Sequence, residues 1–230
     1  NNGSVIAVGI SEYQVDSSND NRGYVKLYKR NINSEWTSII DLSGNENDML
    51  FGSNVKLSGN GLTLAVGSPG FNDATGKINV YSFNDDYSNV SMNNEFIGDT
   101  NDECGKNITL TNDGKMINYG LRQSNKIVIQ NLENDTSYNF VGIGTNYGIS
   151  ILSNDKSKLF IFKEEKSESS FNNYIQSYEF YNNTWINLGI KHVLTTININ
   201  PNVKFISSND GKRILYSNDN FNYNGGTNNG

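Results

Sequence analysis

The sequence has 230 residues and a formal net charge of −6, and 18% of its residues are charged, so it is an acidic chain whose length allows one large domain or two small ones. Its longest basic stretches are the pairs Lys29-Arg30 and Lys212-Arg213, which are too short to neutralise a phosphate backbone. We therefore expect no nucleic acid as a partner. No run of about 18 apolar residues occurs, so we also expect no membrane insertion.

One short pattern recurs along the chain: an alternating strand, a polar turn that usually ends in Asn-Gly or Asp-Gly, and a second strand. Full copies cover residues 55–67, 108–120, 149–162 and 205–217, and residues 4–9 match the second half of a copy. The central turn residues lie 58, 53, 42 and 55 positions apart, at Asn2, Asn60, Asp113, Asp155 and Asp210. This spacing is near the roughly 40–50 residues of a propeller blade. The Asn-Gly and Asp-Gly pairs predict hairpins with type I′ turns.

Each repeat continues with two further strands. The third strand falls at residues 23–28, 76–81, 126–129 and 174–180. The fourth strand starts at an aromatic residue at 36–40, 138–141 and 185–188, with a blurred copy at 94–97. Because Trp36 and Trp185 occupy matching positions, we expect both rings to pack between neighbouring blades.

This four-strand rhythm predicts an all-β fold, a β-propeller of four-stranded antiparallel blades. About five blade units fit into residues 1–230, the outer two incomplete, with approximate repeats at 1–50, 51–103, 104–144, 145–190 and 191–230. The first and last units do not complete one blade between them. We therefore expect a single propeller domain that is an excerpt of a longer chain.

The repeat also resembles a known family. Phe51-Gly52, then a hairpin, then Ala65-Val66-Gly67-Ser68-Pro69 is similar to the FG-GAP (integrin-α-like) repeat, and residues 76–81 match its third strand. The resemblance is good over residues 51–83, partial over 4–42, and weaker over 105–141 and 203–217. Residues 207–217 also resemble the hairpin of TolB-like and WD40-like propellers. Both resemblances imply the propeller architecture.

Metal and catalytic sites are not apparent in the sequence. FG-GAP repeats in integrins often carry a D-x-D-x-D-G calcium loop, whereas the turns at 58–61 and 111–114 are short and poor in carboxylates. A zinc site from the single histidine, His192, and the single cysteine, Cys104, would need carboxylate ligands as well. We expect His192 at a solvent edge and Cys104 packed at a blade edge, and we predict no catalytic residue, no metal and no cofactor.

Aromatic side chains in predicted loops are the remaining candidates for binding. Tyrosine and phenylalanine rings on loops suit the recognition of proteins or glycans, although they can equally serve to pin their own loops. The candidate residues are Phe71, Tyr87, Phe171, Phe221 and Tyr223.

These observations predict a non-catalytic structural or protein-interaction module, and not an enzyme. Its partners would be other proteins of an assembly, such as a virus particle or a cell surface, and we favour those locations over the cytoplasm. One alternative is a glycan-binding adhesin or lectin-like module. Another is an enzyme whose active site lies outside this sequence or on loops that carry no recognisable motif.

Overall fold

The computed structural model describes residues 3–13, 22–45, 50–141, 148–166, 171–194 and 204–217. Almost all regular structure in these ranges is strand. In chain order the elements are β1 (Val5–Ile10), β2 (Tyr24–Arg30), β3 (Trp36–Ser43), β4 (Asn54–Leu57), β5 (Thr63–Ser68), α1 (Phe71–Ala74), β6 (Lys77–Phe83), β7 (Val90–Ile97), β8 (Ile108–Leu110), β9 (Met116–Leu121), β10 (Lys126–Asn131), β11 (Ser137–Val141), β12 (Ser150–Leu152), β13 (Lys158–Lys166), β14 (Phe171–Tyr181), β15 (Thr184–Val193), β16 (Lys204–Ser207) and β17 (Ile214–Ser217). No helix in the described ranges is long and apolar enough to cross a membrane.

The strands form five antiparallel sheets in the described part of the chain. Three sheets have four strands in sequential order, β4 to β7, β8 to β11 and β12 to β15, and they are flanked by a three-stranded sheet β1-β2-β3 and a two-stranded sheet β16-β17. Neighbouring sheets contact one another through β4, β8, β12 and β16, which are therefore the inner strands around a common axis. The chain is a β-propeller of four-stranded antiparallel blades, as predicted.

The core lies between blades rather than within one of them. Leu64 and Val66 of β5 pack with Val25 and Leu27 of the first blade, whereas Ala65 packs with the third blade. Because side chains alternate along a strand, one strand buries residues on both of its faces, and five of the six residues of β5 are buried. The apolar residues of the repeats are thus inter-blade contacts.

Glycines fix the spacing between blades at one face. A Cβ atom on Gly67 of β5 would lie 2.0 Å from the carbonyl oxygen of Gly105, which precedes the inner strand of the next blade. Gly105 has a φ of 95°, a conformation that favours glycine. The same contact recurs at the two flanking interfaces, between Gly9 and Gly52 and between Gly120 and Gly148. Only glycine fits such a close approach of two backbones.

The hairpin turns are real, but their predicted type is wrong. In the β4–β5 turn the N–H of Gly61 donates to the carbonyl of Ser58 at 2.9 Å. Gly61 has a φ of 78°, whereas Asn60 has no positive φ. A type I′ turn requires positive φ at both central residues, so this turn is of another type, with the left-handed residue following it. Two hydrogen bonds of the Ser58 side chain explain this turn type. The Ser58 hydroxyl donates to Asn60 Oδ1 at 2.6 Å and accepts from the Thr63 N–H at 2.9 Å.

Two further predictions need correction. The outer strand of the second blade covers Val90–Ile97, and not only residues 94–97. Trp185 does pack between blades, with Phe140 of the preceding blade at 6.4 Å between ring centroids. Trp36, by contrast, is 43% exposed, because β3 belongs to the first blade and no preceding blade covers it among the described residues.

Candidate functional site

One face of the propeller brings charged residues of two blades together. It is the face at which the inner strands begin, with β4 starting at Asn54 and β8 at Ile108. The side-chain amide of Asn54 donates to the carbonyl oxygen of Lys106 at 2.9 Å. Lys106 therefore lies beside two neighbouring inner strands, at the axial end of this face.

A carboxylate and two cations form what we term the mouth cluster: Glu103, Lys106 and Arg122. Glu103 and Lys106 lie on the connection that leads into β8, and Arg122 directly follows β9. Because β9 runs antiparallel to β8, its end returns to the face where β8 begins. Arg122 Nη1 lies 2.5 Å from Glu103 Oε1, and Lys106 Nζ contacts the other carboxylate oxygen. The side chain of Glu103 is 19% exposed, whereas those of Lys106 and Arg122 are 45% and 50% exposed.

The two cations keep the carboxylate ionised. Partial burial of Glu103 acts to raise its pKa, but the hydrogen bonds and charges of Lys106 and Arg122 outweigh this effect and hold the pKa below its ordinary value. The mouth cluster has one negative and two positive groups, and the buried carboxylate of Asp102 stands one residue from Glu103, so two carboxylates face two cations here. The N–H groups of Lys106 and Arg122 that Glu103 does not accept are donors for an anion or for an oxygen that gains negative charge.

A buried aspartate holds the turn that carries Arg122. Asp102 is 1% exposed, and its carboxylate accepts hydrogen bonds from the N–H of Ser124 at 2.7 Å, from the hydroxyl of Ser124 at 2.8 Å and from the N–H of Asp99 at 2.8 Å. Its backbone carbonyl accepts from the N–H of Arg122 at 2.9 Å. The β9–β10 turn is thereby attached to the connection between blades, which sets the direction of Arg122.

Cys104 is next to these residues but is not a nucleophile in this setting. It is fully buried, and burial together with the charge of Asp102 raises the pKa of its thiol to about 12. A thiol reacts as the thiolate, so Cys104 has a packing role. The prediction that it packs at a blade edge agrees with its place in the core between the second and third blades.

The predicted binding-loop residues are spread over the molecule. Phe71 starts α1, on the same face as the mouth cluster, because the N–H of Glu103 bonds the carbonyl of Ala74 in that helix at 2.9 Å. The ring of Phe71 is partly buried, and Lys77 Nζ lies 4.0 Å from its centroid. Phe71 therefore covers a buried lysine, and binding of a ligand by its ring stays a prediction.

Tyr87 is not an exposed loop residue, so that expectation was wrong. It is 9% exposed, its hydroxyl donates to the carbonyl of Gly61 at 3.1 Å, and its ring lies 5.8 Å from that of Phe83. Phe171 is also not in a loop: it is the first residue of β14 and pairs with Lys166. The last two candidates, Phe221 and Tyr223, lie outside the described residues.

The sequence did not reveal the mouth cluster. Its residues come from two blade elements nineteen positions apart, and no short motif joins Glu103 to Arg122. The one usable signal was position relative to the strand ends. Lys106 lies two residues before β8, an inner strand, and Arg122 lies one residue after β9, the strand that pairs with it. His192 is exposed, as predicted. In the described part of the chain no three His, Cys, Asp or Glu side chains are placed to hold a metal ion, and the prediction of no metal stays a prediction.

Comparison with known proteins supports the fold. No protein-family model and no curated protein matches the chain in sequence. Among solved structures, a proposed 6-phosphogluconolactonase of Bacteroides fragilis matches with a TM-score of 0.59 and 13% identity, over 95% of this chain and 62% of that one. The periplasmic gluconolactonase PpgL of Pseudomonas aeruginosa gives a TM-score of 0.59 and 13% identity, over 95% and 64%. TolB of Acinetobacter baumannii gives 0.50 and 13%, over 84% and 42%.

These matches contradict two predictions, that the chain is a non-catalytic module and that it is not an enzyme. Two of the three structures just described are named as lactonases. Catalytic residues that a propeller gathers from several blades leave no short motif in the sequence, so single motifs could not reveal them. At 13% identity the likeness shows the fold alone, and the chain spans less than two thirds of the length of each of these proteins. None of these three structures is named as an FG-GAP protein, and that resemblance stays a prediction.

Proposed function

We propose that this propeller hydrolyses a cyclic ester of a sugar acid, a sugar lactone, at the mouth cluster. The observation that carries the proposal is the placement of Arg122 and Lys106 around Glu103 on one face of the propeller. The lactonase names of two solved propellers with the same fold give the substrate class. The chain spans only part of the length of those two proteins.

The chemistry required is addition of water to a carbonyl carbon. As water adds, the carbonyl oxygen gains negative charge, and donors aimed at that oxygen lower the barrier. The Arg122 guanidinium and the Lys106 ammonium are half-exposed and have N–H groups beyond those that Glu103 accepts. The bond from the carbonyl carbon to the ring oxygen then breaks, and the ring oxygen takes a proton. The products are a sugar-acid carboxylate and one released proton.

Glu103 has a positioning role in this scheme. A carboxylate that bonds two cations restricts both side chains, so that their free N–H groups point to one place. Since the pKa of Glu103 lies below its ordinary value, it is ionised at neutral pH and keeps this arrangement. The same lowered pKa makes it a weak base, so we assign it no proton transfer.

The test is hydrolysis of glucono-δ-lactone and of its 6-phosphate. The rate of proton release is measured and compared with the rate of spontaneous hydrolysis in buffer. We expect activity from the chain and a loss of about 10²-fold in Arg122→Gln, the usual cost of removing one oxyanion donor. The matched control is Lys115→Gln, which breaks an exposed ion pair with Glu133, 2.6 Å long, at the opposite end of β8. Hydrolysis no faster than in buffer, or an equal loss in both variants, would refute the proposal.

A further inference from the structure

The mouth cluster supplies donors for the carbonyl oxygen of a lactone but no base for the attacking water. Water adds to a carbonyl carbon faster when a positioned side chain accepts its proton in the same step. Glu103 is not that side chain, because Arg122 and Lys106 bond its two oxygens and its pKa lies below its ordinary value. A base for this reaction has to be another group on the same face of the propeller.

The α1 turn on this face has an unusual backbone. Asn72, Asp73 and Ala74 are three successive residues with positive φ, at 47°, 53° and 65°. In the ranges that the structure describes, no other three successive residues have positive φ. Left-handed residues other than glycine are costly and usually occur singly. Because a fold retains such strain mainly at active sites and ligand-binding sites, the α1 turn is a candidate for a functional element.

Backbone hydrogen bonds place the α1 turn and Arg122 on two sides of one peptide unit. The N–H of Glu103 donates to the carbonyl of Ala74, and the carbonyl of Asp102 accepts from the N–H of Arg122, both at 2.9 Å. The Asp102 carbonyl and the Glu103 N–H belong to one trans peptide unit, so they point in opposite directions. Two backbone spacings of about 4.8 Å therefore separate the α1 turn from the turn of Arg122, about 10 Å in all. This spacing fits one sugar ring between a carboxylate on one turn and a guanidinium on the other.

Asp73 is the carboxylate of the α1 turn. It is exposed, and its side chain has no hydrogen-bond or ion-pair partner in the described structure. Both of its oxygens are thus able to accept from a water molecule. Asp99 is another exposed carboxylate on this face, but it lies two residues after the outer strand β7, whereas Lys106 lies two residues before the inner strand β8. Asp73 is therefore the better placed of the two.

We propose that Asp73 is the general base of the lactone hydrolysis, an assignment that rests on the function proposed above. Asp73 takes a proton from water as the water oxygen bonds to the carbonyl carbon. One electron pair of the C=O double bond moves to the carbonyl oxygen, to which Arg122 and Lys106 donate. When the double bond re-forms, the bond to the ring oxygen breaks, and the ring oxygen takes the proton from Asp73. The new carboxylic acid then releases one proton to the solvent.

Two substitutions of Asp73 test the assignment. Asp73→Asn removes the base and keeps the turn, because asparagine tolerates a left-handed backbone. We expect kcat for glucono-δ-lactone to fall by about 10²-fold or more, the usual contribution of a general base, with little change in KM. Asp73→Gly leaves space for a small carboxylate, so formate should restore part of its rate and should not accelerate the parent chain. The matched control, Asn72→Gly, relaxes the neighbouring left-handed residue without removing a carboxylate and should hydrolyse the lactone like the parent chain.

The outcomes separate this assignment from the proposed function, and urea denaturation shows whether each variant is folded. If Arg122→Gln loses the rate but Asp73→Asn keeps the kcat of the parent chain, the function stands and Asp73 is not its base. A loss in Asn72→Gly equal to that in Asp73→Gly, or no response of Asp73→Gly to formate, also overturns the assignment. If Asp99→Asn loses the rate and Asp73→Asn does not, the base is Asp99. Hydrolysis by the parent chain no faster than in buffer would refute both proposals.

Discussion

Replacement of Gly67 by alanine should disrupt the contact between the second and third blades. The added Cβ would lie 2.0 Å from the carbonyl oxygen of Gly105 and 2.8 Å from its carbonyl carbon, and real Cβ contacts are longer than 3.0 Å. The obstacle is backbone on both sides, so no side chain can rotate away and the blades must separate by about 1 Å. Overpacking with backbone shifts costs about 1–3 kcal/mol, and loss of the packing of Ala65 adds to it. We expect a loss of about 3–5 kcal/mol of the free energy of unfolding.

Urea denaturation followed by tryptophan fluorescence measures this loss. The control is Gly189→Ala, because Gly189 has a φ of 71° but no atom within 4 Å of an added Cβ. That variant measures the cost of a left-handed alanine without any contact, about 1–2 kcal/mol, whereas Gly67 has no positive φ and its replacement measures the contact alone. The contact explanation requires Gly67→Ala to be the more destabilised variant by about 2 kcal/mol. Equal losses, or a Gly67→Ala variant as stable as the parent chain, would refute it.

Three further outcomes follow from the structure. The thiol of Cys104 should not react with a thiol reagent at pH 8 until urea unfolds the chain, because burial raises its pKa to about 12; rapid reaction in buffer would contradict its burial. Asp102→Ala should cost about 2–4 kcal/mol in urea denaturation, since it leaves the two donors of Ser124 and one of Asp99 without their acceptor; a neutral effect would show that the turn is not held in this way. The pKa of Asp155 is lowered in the fold: burial acts to raise it, but the hydrogen bonds from Ser153 and Ser157 outweigh burial. The contribution of Asp155 to the melting temperature should therefore be present above about pH 4 and be lost as the pH falls below that value. Asp155→Asn should flatten this part of the plot of melting temperature against pH, and an unchanged plot would count against the turn geometry.

The blade architecture was predictable because it depends on local signals. Each repeat contains its own alternating apolar residues and its own polar turn. These local patterns predicted β4, β5 and β6 close to their observed bounds. The contact of Gly67 with Gly105 was not predicted, because it joins residues of different blades.

The turn type was mispredicted for a reason that lies in the side chains. Asn-Gly favours type I′ when only backbone preference decides. Here the hydroxyl of Ser58 bonds Asn60 and accepts from the Thr63 N–H, and this bonding fixes a turn with one left-handed residue instead. The serine two positions before the asparagine was visible in the sequence, but its role appears only once both strands are in place.

The mouth cluster was not predictable from one sequence. Glu103 and Arg122 are ordinary charged residues by composition, and each is near a glycine or a turn where charges are common. Their meeting depends on the antiparallel return of β9 and on the contact of neighbouring inner strands. The exposure of Tyr87 was mispredicted for the same reason, since the carbonyl of Gly61 that accepts its hydroxyl belongs to a different turn.

Chemical rescue of Arg122→Ala is the most direct test of the proposed lactone hydrolysis. Removal of the side chain leaves space beside Glu103 for a free guanidinium ion, which can supply the missing N–H donors. If the mouth cluster stabilises the carbonyl oxygen, millimolar guanidinium should restore part of the lost rate in Arg122→Ala, and it should not accelerate the parent chain or Lys115→Gln. An Arg122→Ala variant that hydrolyses the lactone as fast as the parent chain, or whose rate does not respond to guanidinium, would contradict the account.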